Sequence, residues 1–183
     1  MAGRINERTA NWRLFGGGGL ILGGLLWLIV AIIGEGGIGM WLQIVAFIAL
    51  AIAGFMLAFG QTGSNGVVGG SVLGKIAFVA FGIGFAILAL VPLLALAGVA
   101  LPAELSIVAI VLIALGAIVG AIVAFQKGVA RGIAKWIFFV PAVLALVWLF
   151  VTLGWVALGG NILVILLSLA LALAGVAYLL NRK

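Results

Sequence analysis

Residues 103–125 read AELSIVAIVLIALGAIVGAIVAF, an apolar run whose one charged residue, Glu104, stands in its opening turn. An α-helix rises about 1.5 Å per residue, so a run of this length crosses a hydrocarbon core about 30 Å thick. A bilayer offers no water to unpaired peptide groups, which leaves a helix as the conformation that satisfies such a segment internally. Working outward, five more runs have the same character: 14–33, 38–60, 76–97, 136–157 and 160–180. The predicted fold is all-α, a six-helix transmembrane bundle. The connections alternate between short (34–37, 98–102, 158–159) and long (61–75, 126–135). This gives an N-terminal segment of residues 1–13, a single membrane domain over 14–180 and a C-terminal tail of 181–183.

Composition supports this reading. With 68% hydrophobic and 7% charged residues, the chain lacks the polar cover of a water-soluble surface. A net charge of +6 would suggest nucleic acid in a soluble protein, but the cations fall in four groups: Arg4, Arg8, Arg13; Lys75; Lys127, Arg131, Lys135; and Arg182, Lys183. These occupy the termini and the long connections, whereas Glu35 and Glu104 mark the other side. The excess of Lys and Arg on cytoplasmic flanks therefore predicts that both termini are cytoplasmic and that no nucleic acid is bound. The first run follows arginines, as a signal peptide would, but it is long and lacks a small-residue cleavage pattern, so it reads as a retained helix.

Arg13, Lys75 and Lys135 are spaced about 60 residues apart, and each opens a span, a short turn and a returning span. Three tandem helical hairpins follow, at about 13–60, 75–125 and 135–180, predicting a pseudo-threefold axis along the membrane normal. In the returning helices Gly54, Gly120 and Gly175 recur, each followed by an aromatic: Phe59, Phe125 and Tyr178. Small residues also line these helices at helical spacing: Ala46, Ala49, Ala53; Ala109, Gly116, Gly120; Ser168, Ala172, Gly175. The opening helices carry Gly16, Gly19, Gly23 and Ala77, Ala80, Gly84, whereas the fifth span has only Ala142 and Ala145 before the pattern stops. Such faces let backbones approach closely in lipid. They serve contacts within a chain or between chains equally well, so a homo-oligomer or a larger membrane complex stays open.

Helix punctuation agrees with these boundaries. Pro102 and Glu104 suit the first turn of the fourth helix, and Asn161 suits a cap on the sixth. Pro92 and Pro141 predict kinks in the third and fifth spans. Trp12, Trp41, Trp136, Trp155 and Tyr178 fall near the interfaces, and Trp27 and Trp148 deeper in the bundle.

The chemistry of catalysis is nearly absent. The chain has no His, Cys or Asp, which removes Ser-His pairs, thiolate chemistry, clustered metal ligands and an intramembrane carboxylate relay. No enzyme activity, cofactor or metal is expected. Gly16 to Gly19 superficially resembles a phosphate loop, but no GK[ST] follows, and helix packing is the better reading. Gln43, Thr152 and Ser168 remain as polar candidates for interhelical contacts or for lining a small cavity. Lys127, Arg131 and Lys135, spaced i, i+4, i+8, share one face if their connection is helical, and would then contact anionic lipids or a protein partner.

The three repeats open with a basic residue and aromatics: Arg13-Leu14-Phe15, Lys75 to Phe78, and Lys135-Trp136-Ile137-Phe138. In this architecture the chain resembles the HdeD-like acid-resistance membrane proteins over most of its length, although it has no Pro-Gly at its outer turns. The resemblance implies a stress-associated protein of the bacterial cytoplasmic (inner) membrane and assigns no functional residue. The function expected is that of a non-enzymatic packing, scaffold or accessory bundle. The alternatives are a passive channel or carrier for a small neutral solute, with its path on the repeat axis, and a lipid-binding membrane protein.

Overall fold

The structure is a computed structural model that describes residues 12–60, 66–99, 101–157 and 159–181. Arg4, Arg8, Arg182 and Lys183 lie outside the described residues. A π-helical turn, Trp12–Gly17, leads into α1 (Gly18–Ile33), followed by α2 (Ile38–Phe59), α3 (Val72–Leu96) and α4 (Ala103–Lys127). A 3₁₀ turn, Gly132–Lys135, then precedes α5 (Phe139–Thr152) and α6 (Gly160–Leu179). Among the described residues six spans are long and apolar enough to cross a bilayer, so the chain is an all-α integral membrane protein built of three consecutive helical hairpins.

Each helix packs on the next, and α6 packs back on α1, closing a ring. The hairpins are thus not laid out in a line. The start of α1 and the ends facing it carry Arg13, Lys75, Lys127 and Lys135 (the cationic end), and the opposite end carries Glu35 and Glu104 (the acidic end).

Without a hydrophobic drive between helices in lipid, the ring depends on how closely backbones approach. On the α3–α4 seam a methyl added at Gly116 would lie 2.5 Å from the Ala77 carbonyl oxygen and 2.7 Å from the Phe81 nitrogen. On the α2–α3 seam one added at Gly54 would meet the backbone of Gly82 at 2.8 Å. The other glycines singled out by spacing fall in seams too. Gly16, Gly19 and Gly23 lie on α2, Gly120 lies on the Phe78 ring, and Gly175 lies on Gly17 of the opening turn. No glycine serves α5, and its joint with α6 is the least extensive in the ring.

Several local expectations are corrected. The third helix starts at Val72 because Ser71 caps it, its Oγ accepting from the Gly74 N–H at 3.3 Å. Gly66 to Val68 fold back under the bundle, where the Val67 N–H donates to the Leu57 carbonyl at 2.9 Å. Asn161 does not cap α6; Gly159 holds that position, and Asn161 is inside the helix. Pro141 sits in the first turn of α5, where its missing N–H costs no helical bond, so it marks a late helix start and not a kink. Trp12 and Tyr178 are buried against each other, with ring centroids 5.6 Å apart, and do not belong to an interfacial belt. Trp41, Trp136 and Trp155 are exposed, as interfacial rings are.

Gly116→Ala is expected to cost about 1–3 kcal/mol through forced separation of α3 and α4. Gly18→Ala, where a methyl meets nothing within 4 Å, should be neutral or stabilise by about 0.5–1 kcal/mol. Thermal unfolding of the two variants in detergent checks this; equal melting temperatures would refute the close-approach account.

Candidate functional site

The ring interior is filled by aromatic side chains, and the filling stops short of the acidic end. Trp27 of α1 meets Phe85 of α3 at 5.9 Å and Trp148 of α5 at 5.4 Å. Phe81 of α3 meets Phe138, which leads into α5, at 5.9 Å. None of these helices are ring neighbours, so the contacts cross the interior. The column continues through Phe78, stacks Phe138 on Tyr178 at 6.0 Å and ends at Trp12. Phe47 joins its upper part at 5.3 Å from Trp27. Each such pair contributes about 0.5–1.5 kcal/mol beyond its burial. α4 contributes no ring to the column. Its small face, Gly116, Ala117, Gly120 and Ala121, makes room for the phenylalanines of α3.

Above the column lies a chamber of about 680 Å³ at the acidic end, lined by residues from all six helices. Trp27, Phe47 and Trp148 border it on the column side, and Val30, Met40, Leu88, Val91, Ile110 and Val164 supply apolar wall. Its polar groups are Glu35, Gln43, Ser106 and Asn161. The Gln43 amide donates to Glu35 Oε1 at 3.1 Å, holding the carboxylate at the rim. Pro92 lines the chamber beside Leu88 and has no N–H to give the Leu88 carbonyl, which loses its usual helical donor.

Of the three polar candidates, only Gln43 lines this chamber. The Thr152 hydroxyl is exposed and donates to the Trp148 carbonyl of its own helix at 2.9 Å. Ser168 is buried on the α1 seam, but its hydroxyl donates to Ile165 within α6 at 3.0 Å. In both cases the short hydroxyl side chain bonds back to a carbonyl about one turn earlier in its own helix. Glu35, Ser106, Asn161 and the two tryptophans have no mutual spacing in sequence that marks them as one site.

The three cations of the second long connection do not share a helical face. Lys127 ends α4, Gly128 turns the chain in a left-handed conformation (φ 61°), and the following turn is 3₁₀. Lys127 and Arg131 are exposed, and the Arg131 N–H donates to Asn181 Oδ1 at 3.4 Å. Lys135 is half-buried, with its Nζ 4.1 Å from the Phe125 ring centroid. The same pairing joins Lys75 to Phe59 at 5.7 Å. At ring closure Arg13 lies 5.8 Å from Trp12, which packs edge-on against Tyr178.

No protein family, curated protein or solved structure matches this chain. Its class rests on the fold: an integral membrane protein formed as a closed six-helix ring with a chamber at one end.

Proposed function

We propose that this chain is a non-enzymatic integral membrane protein of the scaffold or accessory kind, whose ring presents a blind binding chamber and not a through pore. The observation that carries this reading is the aromatic column, which fills the axis where a solute path would run. The absence of His, Cys and Asp from the sequence supports a role without catalysis. Proteoliposomes containing the protein should swell no faster in polyols and sugars than empty vesicles, and Phe81→Ala with Phe138→Ala should raise glycerol entry. Flux through the parent protein would refute the blind-chamber reading in favour of the channel.

The distribution of cations supports an orientation with both termini cytoplasmic and the chamber outward, in a bacterial cytoplasmic membrane as the HdeD-like resemblance implies. The chain has no cysteine, so single introduced thiols report sidedness. Val99→Cys should react with an impermeant maleimide in intact cells, and Gln126→Cys only after permeabilisation; the reverse pattern would invert the topology.

Internal threefold repetition is part of the same proposal. It is supported by the rings that α1, α3 and the lead into α5 send across the interior, and by Lys75 and Lys135, each of which opens a hairpin beside the aromatic that ends the one before.

A second reading concerns the cationic end. Lys127 and Arg131 are exposed, which favours contact with anionic lipid headgroups or a partner. Lys127→Ala with Arg131→Ala should lower the anionic lipid retained on purification, measured by native mass spectrometry, whereas Lys135→Ala should not, because that ammonium rests on Phe125. Unchanged lipid content in the double variant would count against the contact.

A further inference from the structure

We infer that the chamber is selective for organic cations with an apolar body, such as substituted ammonium ions carrying an aryl or alkyl group. This inference rests on the blind-chamber reading and adds the chemistry of the occupant. A volume of about 680 Å³ lies within the range of small-molecule sites.

The sign of the chamber follows from its lining. Glu35 is the one charged residue among those that line it. The described cations, Arg13, Lys75, Lys127, Arg131 and Lys135, all lie at the opposite end of the ring. Three helix C-termini, from α1, α3 and α5, and three N-termini, from α2, α4 and α6, meet around the chamber. Their dipoles oppose one another, which leaves the carboxylate to set the local potential.

The remaining polar groups favour the same occupant. Gln43 spends its amide N–H on Glu35 Oε1 and keeps its own carbonyl oxygen as an acceptor. Pro92 also leaves the carbonyl of Leu88, a residue of the lining, without its usual helical donor. Trp27, Phe47 and Trp148 add aromatic rings, whose faces attract cations and whose area accepts an apolar body. An anion would meet Glu35 with no compensating cation, whereas a neutral apolar molecule gains the walls but not the rim.

The test uses the full chain in nanodiscs of zwitterionic phosphatidylcholine. Three probes are titrated by calorimetry: phenethyltrimethylammonium, its uncharged tert-butyl isostere, and phenethylsulfonate. The ammonium should bind about fivefold or more tighter than the isostere, and the sulfonate weakest. Glu35→Gln, at an exposed position where folding is not at stake, should narrow the gap between the ammonium and the isostere, leaving only the part the aromatic rings supply. Trp148→Leu should weaken the ammonium more than the isostere. If ammonium and isostere bind equally, or Glu35→Gln leaves the preference intact, the charge selectivity is wrong while the chamber stands as a binding site. If none of the three binds, both the selectivity and the binding role of the chamber are overturned.

Discussion

Close backbone approach is the constraint on which the rest of this structure depends. Lipid tails are as apolar as the side chains between helices, so burial alone supplies little reason for six apolar helices to associate. What remains is dispersion, which falls steeply with separation and rewards surfaces that touch along their length. Gly54 on Gly82 and Gly116 on Ala77 and Phe81 bring backbones to distances that a single methyl would forbid. The seams are therefore both the adhesive of the ring and its most sequence-sensitive part.

Small residues at the seams require large ones elsewhere, because a ring of six helices leaves an interior to fill. The opening helices α1 and α3 and the lead into α5 supply most of the rings that fill it, while α4 presents glycine and alanine to receive them. α5 departs from this division of labour. It is short, starts after a 3₁₀ turn, carries no glycine and forms the weakest joint of the ring with α6. Toward the acidic end the aromatic column stops and no seam residue takes its place, and the unfilled interior is the chamber. Its polar character comes from residues near helix ends and turns, where a carboxylate and amides can reach the headgroup region.

Parts of this architecture were legible in local sequence. The number and order of spans, the three hairpins, the small faces and the depth of Trp27 and Trp148 followed from periodicity and run length, which report a residue's own helix. Expectations that needed knowledge of a second helix fared differently. Trp12 and Tyr178 looked interfacial by position but pair inside the bundle, since the ring closure that brings the first and last helices together has no local signature. Lys127, Arg131 and Lys135 shared a face only under continuous helical geometry, which the left-handed Gly128 breaks. Thr152 and Ser168 turned to carbonyls of their own helix, the partners nearest to any short hydroxyl side chain.

The sequence by itself determined that this protein is an all-α bundle of six apolar spans in three hairpins, with basic and acidic ends, because hydropathy, helix length and charge placement act on each segment independently of the others. Only the tertiary structure decided that the ring closes from α6 to α1, that aromatic rings fill its axis, and that Glu35, Gln43, Ser106 and Asn161 border one chamber. Glu35 and Gln43 are eight positions apart, but Ser106 and Asn161 lie far from them and from each other along the chain. Their meeting depends on the rotation and approach of helices, which are fixed by backbone contacts at glycine seams and not by the residues that form the site.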